Sequence, residues 1–377
     1  MEKLNVIISG GGTGGHIFPA ISIANGIKEI NPKANILFVG ATGRMEMEKV
    51  PAAGYEIIGI PAQGLRRPLY HPYNIKVAFD YFRCKIKARK IIKDFKPNIV
   101  VGVGGYASAP IVGVAAKSKI PTLLQEQNSF AGIVNRTNGK HADKICVAYD
   151  GMERFFPKEK IMITGNPIRK DIVKSTPQMR EEAYRFYNLD PKKKTIFVVG
   201  GSLGCRTLND CMKDEISKGK LFASDVEGSC QVIWQCGKIY KDEVDAFMEN
   251  HKGVNVFHTH FIQRMDLAYA AADIVISRAG AGTISELCVA GKCTIFVPSP
   301  NVSEDHQTHN AMALVHKYAA MMVRDDAAGK ELFPCVDKLL KNPAKIQEME
   351  RNILALGKKD AAAVIARECI ILSGIKK

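Results

Sequence analysis

The sequence predicts an α/β protein built as two doubly wound parallel-sheet domains facing across a cleft. Three observations predict it. The length of 377 residues suits two domains better than one. Short, continuous apolar runs ending at glycine or proline alternate with helical patterns, and such runs mark strands covered on both faces, as in a parallel sheet. The pattern also occurs twice, and each half carries an early and a later glycine loop.

In the first half Val6-Ile7-Ile8 leads to Gly10, Ile36 to Val39 leads to Gly40, and Ile99 to Val101 leads to Gly102. In the second half Ile196 to Val199 leads to Gly200, Asp273 to Ile276 leads to Gly280, and Thr294 to Val297 leads to Pro298. The expected boundary is at Gly165-Asn166-Pro167, because proline disfavours helix in the residue before it. This gives a domain of 1–165 and another of 166–345, with a tail from about 346 to 377 packing back on the first. Residues 175–194 are polar and Lys-rich and read as linker-like or peripheral.

Hydrophobic residues at 46% and charged residues at 24% supply two ordinary cores. The net charge of +15, from 53 basic and 38 acidic residues, points to phosphorylated ligands, an acidic membrane or nucleic acid. A single tryptophan, few aromatics and the lack of a reading motif count against nucleic acid. None of the ten cysteines forms a C-x-x-C pair, so they read as buried free thiols of a reducing compartment. No apolar run approaches the roughly 20 residues of a membrane span. No secretory h-region precedes the first strand, so the chain reads as cytoplasmic, touching any membrane from one face.

The first loop, Ser9-Gly10-Gly11-Gly12-Thr13-Gly14-Gly15-His16, joins a strand to a helix. Its glycines let backbone N–H groups approach an anion, and the helix start adds partial positive charge. The alternative is a turn that only packs helix on strand. Gly10, Gly12 and Gly15 satisfy G-x-G-x-x-G, yet the second strand ends Phe38-Val39-Gly40-Ala41-Thr42 without the acid a nicotinamide cofactor wants. His16 ends the loop, placed to act as a general base or to hydrogen-bond a phosphate. Gly200 to Gly204 and Arg278 to Glu286 are the matching loops of the second half. Glu286 suits paired ribose hydroxyls, or else a charge–dipole placement in the first helical turn. The amides of Asp305 to Asn310 suit sugar hydroxyls, and His306 with His309 lacks a third metal ligand.

Taken together, Gly11 to His16, Gly104-Gly105-Tyr106, Glu126-Gln127-Asn128, Gly165 to Arg169, Gly200-Gly201-Ser202, Arg278 to Thr283 and Asp305-His306-Gln307 resemble the MurG family. These are the N-acetylglucosaminyltransferases of peptidoglycan synthesis. The resemblance runs in order over about residues 5–320. It implies a GT-B fold of two Rossmann-like domains and an inverting, metal-independent transfer of GlcNAc from UDP-GlcNAc, with no cofactor. The implied acceptor is the 4-hydroxyl of muramyl-pentapeptide on undecaprenyl pyrophosphate, lipid I becoming lipid II. Carried over by motif, the donor site uses Arg169, Ser202, the backbone of Ile262 for uracil, Ala281, Gly282, Thr283, Ile284 and Ser285, Glu286 for the ribose and Gln307 for the sugar, with Asn310 a further candidate. Amides around Ala281 to Thr283, with Ser202 and Arg169, would take the charge on departing UDP. Thr13, Gly14, Gly15 and Asn128 would lie where donor meets acceptor, and Gly104, Gly105 and Tyr106 at the acceptor pyrophosphate. His16 is the leading base and Glu126 the alternative. Departures are Gln125 where relatives carry His, Ala109 in place of glycine, and Leu203 in place of a polar Gln. The runner-up is another UDP-sugar transferase, or an epimerase of the same fold, with a soluble acceptor.

Arg66 to Lys93 holds nine basic residues and one acid, Asp80, and Pro72 to Pro97 reads as a helix. Ile75, Phe79, Phe82 and Ile86 form one apolar stripe; Val77, Tyr81, Cys84, Ala88 and Ile91 form another on the opposite side. One core absorbs one stripe. The expectation is that the Phe stripe, flanked by Lys76, Arg83 and Lys87, meets an anionic membrane, so that the enzyme sits peripherally on the cytoplasmic side of the cell membrane. The alternative buries both stripes between helices.

Overall fold

The computed structural model describes residues 4–64, 70–219, 221 and 229–375. Arg66 and Arg67 of the basic run lie outside the described residues. The chain divides into two compact units, one of 1–168 with 358–377 and one of 169–357.

The first unit contains β1 (Asn5–Ser9), β2 (Asn35–Ala41), β3 (Glu56–Ile60), β4 (Ile99–Gly102), β5 (Thr122–Glu126), β6 (Lys144–Val147) and β7 (Ile161–Ile163). These pair in parallel in the order β3-β2-β1-β4-β5-β6-β7. The helices among them are α1 (Gly14–Ile30), α2 (Glu46–Ala52), α3 (Tyr73–Phe95), α4 (Ser108–Lys117) and α5 (Ile133–Gly139). Along β1, Val6 and Ile8 join one apolar cluster and Ile7 the other, so both faces are covered. That is why the run is continuously apolar. Strand order reverses between β1 and β4, so the loops leaving these two strands open beside each other at their carboxyl ends.

The second unit contains β8 (Thr195–Val199), β9 (Gln231–Gln235), β10 (Val256–Thr259), β11 (Ile274–Ser277), β12 (Thr294–Phe296) and β13 (Met321–Met322), parallel in the order β10-β9-β8-β11-β12-β13. Its helices are α6 (Pro177–Phe186), α7 (Arg206–Ser217), α8 (Lys241–Glu249), α9 (Met265–Ala271), α10 (Ala281–Ala290), α11 (His306–Val315), α12 (Ala328–Leu340) and α13 (Pro343–Ala355). Here the reversal lies between β8 and β11, which sets the Gly200 loop beside the Arg278 loop.

Two expectations change. The stretch 175–194 is not a linker: α6 begins with Thr176 accepting from the Met179 amide at 3.2 Å, and Pro177 takes the first turn. It packs on α9 through buried Ala183 and ties down by Arg180 to Asp273 at 2.9 Å. Glu182 reaches Arg264 at 3.3 Å, and Tyr187 just past the helix is buried against Phe257, while the outer surface stays polar. The tail also divides. Helix α13 buries Met349 and Ile353 against the second unit, beside α10. Only α14 (Ala361–Leu372) returns to the first unit, crossing α1 at Gly26, where a Cβ would lie 3.0 Å from the Ala362 carbonyl oxygen. The closeness of that crossing favours glycine, since any side chain there would push the helices apart by a few tenths of an ångström.

All ten cysteines are free and, except for half-buried Cys335, buried. Burial pushes the Cys146 and Cys288 thiols up to about 12, which keeps them protonated and inert. Among the described residues no helix is long and apolar enough to cross a membrane.

Candidate active site

The loop after β1 is held by a carboxylate that spacing did not reveal. Glu46 opens α2 and turns inward: Oε1 accepts from the Ala41 amide and Oε2 from the Gly12 amide, each at 2.9 Å. Part of the expected anion cradle is therefore filled by the chain itself. Thr13, Gly14 and Gly15 form the start of α1, where first-turn amides lack intrahelical partners. His16 sits half-buried in that turn, its Nδ1 3.1 Å from the Gly11 carbonyl oxygen and 3.2 Å from the Thr13 hydroxyl. A carbonyl oxygen only accepts, so the Gly11 contact favours the neutral tautomer with its proton on Nδ1.

The loop after β4 closes on this turn. A Cβ on Gly104 would lie 3.0 Å from His16 Nε2, and one on Gly105 would lie 2.3 Å from the Gly11 carbonyl oxygen. Both glycines also have φ in the left-handed region, +89° and +80°. Tyr106 beside them is exposed, its ring over Gly64.

Glu126, at the end of β5, is fully buried and organises the next loop. Oε1 accepts from the Asn128 amide at 3.0 Å and its side chain at 3.3 Å; Oε2 accepts from Asn135 at 2.9 Å and the Gly132 amide at 3.1 Å. Burial pushes its carboxyl up, and those four hydrogen bonds pull the other way. Gln125, in the place of the family's His, donates to Asn166 at 2.8 Å, and Asn166 donates to the Gln127 carbonyl at 3.0 Å. The Gln-Glu-Gln-Asn run thus clamps Asn166 of the Gly-Asn-Pro segment.

In the second unit, α10 starts after Gly280, with Gly282 open to solvent and Ala281 and Thr283 half-buried. Ile284 points into the core, so of this residue only the backbone frames the site. The Ser285 hydroxyl donates back to the Ala281 carbonyl at 2.9 Å. Glu286 is the sixth residue of α10, in the second turn and not the first, so a charge–dipole placement is a weak account of it. Its Oε1 accepts from Arg169 Nε and its Oε2 from the Tyr269 hydroxyl, both at 3.1 Å. Burial pushes the Glu286 carboxyl up, and the Arg169 guanidinium opposes this. Arg169 is therefore an ion-pair partner of Glu286 as well as a candidate for phosphate.

Gln307 accepts on Oε1 from the Ala279 amide at 3.2 Å and the Ser299 amide at 2.9 Å, which turns its NH2 outward as the group on offer. Asn310 is buried and donates to the Ala279 carbonyl, bracing the loop from below; it is not placed as a sugar ligand. Ser202 is exposed on the loop after β8, and Leu203 beside it is exposed as well. The Ile262 amide donates to Gln235 Oε1 at 2.8 Å, leaving the carbonyl as that residue's other backbone group. Gln235 also donates to the Gly201 carbonyl at 3.0 Å, so it ties the loops after β8 and β10 together. Sequence reasoning missed Glu46, Tyr269 and Gln235. Only Gln235 carried a signal, a polar residue closing an apolar strand.

On α3 the two stripes separate, with Tyr81 the exception. Val77, Cys84, Ala88 and Ile91 are buried, whereas Ile75, Phe79, Phe82 and Ile86 are 77%, 66%, 60% and 52% exposed. Tyr81, expected inside, is partly exposed under the Lys85 ammonium, 4.6 Å from the ring centre. Lys76 is exposed, Arg83 reaches Asp80 at 3.6 Å, and Lys87 donates to the Gly59 carbonyl on β3 at 2.6 Å. The last two cations are thus partly committed to the protein.

Residues 6–147 match the glycosyltransferase family 28 N-terminal domain, and residues 195–365 match the family's C-terminal domain. A relative from Parabacteroides distasonis is 52% identical over 98% of this chain and 98% of its own length. One from Phocaeicola vulgatus is 53% identical over 99% of this chain and 97% of its own. Both are named UDP-N-acetylglucosamine--N-acetylmuramyl-(pentapeptide) pyrophosphoryl-undecaprenol N-acetylglucosamine transferase. The crystal structure of Acinetobacter baumannii MurG superposes with a TM-score of 0.78 at 25% identity, covering 97% of this chain and 99% of that one. Matched over nearly its whole length by these proteins, the chain belongs to glycosyltransferase family 28 and, within it, to the MurG family.

Proposed function

We propose that this enzyme transfers GlcNAc, with inversion, from UDP-GlcNAc to the 4-hydroxyl of muramyl-pentapeptide on undecaprenyl pyrophosphate, converting lipid I to lipid II. The observation that carries the reading is the start of α10. A helix N-terminus stands there with a half-exposed Arg169 ion-paired to the Glu286 carboxylate, in a chain that matches relatives named for this transfer.

The second unit takes the donor. The Ala281 to Thr283 amides, Ser202 and Arg169 meet the diphosphate, and Glu286 accepts from the ribose hydroxyls. Ile262 offers its carbonyl to the uracil N–H, and the outward NH2 of Gln307 donates to the sugar. The first unit takes the acceptor, with the α1 terminus at Thr13 to Gly15 and the Gly104–Tyr106 loop beside its pyrophosphate. As the acceptor oxygen attacks the sugar's anomeric carbon, His16 Nε2 removes its proton. The bond to UDP breaks, and the electron pair leaves on the β-phosphate. One displacement inverts the anomeric centre. His16 is the base in preference to Glu126, whose two oxygens already hold Asn128, Gly132 and Asn135. Asn128, fixed by that carboxylate, helps position the acceptor.

The exposed face of α3 sets the enzyme on an anionic membrane surface, peripherally and from the cytoplasmic side. The test is an assay of purified enzyme with labelled UDP-GlcNAc and a lipid-linked muramyl-pentapeptide acceptor. A β-linked disaccharide product is expected. Turnover only with a soluble acceptor, or epimerised UDP-sugar without acceptor, would replace this reading by its runner-up.

A further inference from the structure

Glu46 belongs to no substrate loop, yet it is buried at 1% exposure beneath the loop that ends in His16. Among the described residues its carboxylate is held by two backbone amides, Ala41 and Gly12, and not by a cation. A buried carboxylate is costly unless hydrogen bonds replace its hydration, so a chain that keeps one uses its geometry.

The surroundings are shaped around it. A Cβ on Gly11 would lie 2.0 Å from Glu46 Oε1, and one on Gly40 would lie 2.6 Å from Glu46 Cγ. Glycine at these two places thus leaves the room in which the Glu46 side chain lies. On its other side Gly11 meets Gly105, where a Cβ would come within 2.3 Å of the Gly11 carbonyl oxygen. That same oxygen faces His16 Nδ1 at 3.1 Å. The Gly11 peptide is thereby fixed from both sides, and it in turn fixes the imidazole.

We infer that Glu46 is a positioning residue for the transfer: it locks the Gly11–Gly12 segment so that the Gly11 carbonyl selects the Nδ1–H tautomer of His16 and leaves Nε2 to take the acceptor proton. The inference rests on the reading of His16 as base. It also means that the Gly12 amide is spent inside the protein and does not hold the acceptor's diphosphate.

Glu46→Gln tests it, because a carboxamide must turn its NH2 toward one of two N–H donors and so releases one strand of the loop. Misplacement of a base by about 1 Å lowers turnover by up to about 100-fold, so kcat should fall by about 10- to 100-fold. The KM for UDP-GlcNAc should stay within about twofold, since uniform donor binding is untouched. In 15N spectra of histidine-labelled enzyme, with His16 assigned by its loss in His16→Gln, the wild type should show Nδ1–H and the Glu46→Gln variant a tautomer mixture. Unchanged turnover, or lost turnover with the tautomer intact, overturns the inference. If Glu46→Gln does not fold, Glu46→Asp, which keeps the charge but reaches only one amide, is read by the same two measurements. Full turnover in His16→Ala would refute the base assignment itself. An inactive His16→Ala beside an unaffected Glu46→Gln would refute only the role of Glu46.

Discussion

Replacing Phe79 and Phe82 together by Asp should detach the enzyme from anionic bilayers. The two rings are 66% and 60% exposed on one face of α3. A phenylalanine presents about 200 Å², so the pair offers about 250 Å² of apolar surface to lipid. At about 25 cal/mol per Å², full transfer would contribute about 6 kcal/mol. Rings that lodge at the headgroup boundary transfer about half of their surface, which leaves about 3 kcal/mol, or about 100-fold in partitioning. The aspartates add repulsion from the lipid charge. Lys76 and the exposed parts of Arg83 and Lys87 remain, each contributing about 1 kcal/mol or less that salt screens. Sedimentation with phosphatidylglycerol vesicles should therefore show a loss of about two orders of magnitude. The residual binding should disappear at about 0.5 M salt, where screening is short-ranged. The thermal melt serves as the folding control for the unit that carries α3, and UDP affinity for the unit proposed to take the donor. Partitioning equal to wild type, with UDP binding intact, would refute the argument that this face is an anchor.

Three further outcomes follow from particular contacts. Tyr269→Phe removes the hydroxyl on Glu286 Oε2 and should weaken UDP binding by about 1 kcal/mol, roughly fivefold in calorimetry; unchanged affinity would show that the carboxylate needs no such hold. Gly26→Val forces a branched side chain into the crossing of α1 and α14, and should destabilise by about 1–3 kcal/mol. Its melting temperature should drop while UDP affinity stays constant, and an unshifted melt would refute the close crossing. Lys292 is buried and donates to the Ala272 carbonyl at 3.1 Å, and burial lowers its pKa from 10.5 to about 8. The folded state thus binds fewer protons than the unfolded between these values, so stability should rise with pH across that window. Thermal melts from pH 8 to 10.5 should show wild type gaining on Lys292→Met, whose slope lacks this contribution; parallel slopes would contradict the burial.

Much of the fold is legible because it is written in local patterns. Ile196 to Val199 and Ile274 to Ser277 read as doubly covered strands, and the glycines that follow them mark where the chain turns at the sheet's carboxyl edge. Helix α3 declares its two faces in the spacing of Phe79 and Phe82 against Cys84 and Ala88. What hides is partnership. Glu46 reads as an ordinary surface acid at a helix start, and only the return of α2 beneath β2 brings it to Gly12. Tyr269 sits in an alanine-rich helix with nothing to distinguish it from core, since its distance from Glu286 depends on how α9 and α10 flank β11. Helices α13 and α14 have similar apolar periodicity, so the period shows that each packs but not on which unit. For the candidate site, the residue types and loops are readable, whereas the hydrogen bonds that orient Gln307 and His16 arise from backbone groups that carry no sequence signature, and the one on Ile262 needs Gln235 brought from the end of another strand.

The docking of α14 on α1 has a bearing on biogenesis. Ile365, Ala366 and Cys369 complete the apolar layer over Val6, Ile8 and Ile23, so β1 and α1 lack part of their cover until α14 (Ala361–Leu372) has been made. The nascent amino-terminal half must wait, with a greasy flank unsealed, while all of 169–357 is synthesised. Termination between the second unit and α14 would thus damage the unit translated earlier, leaving the later one whole.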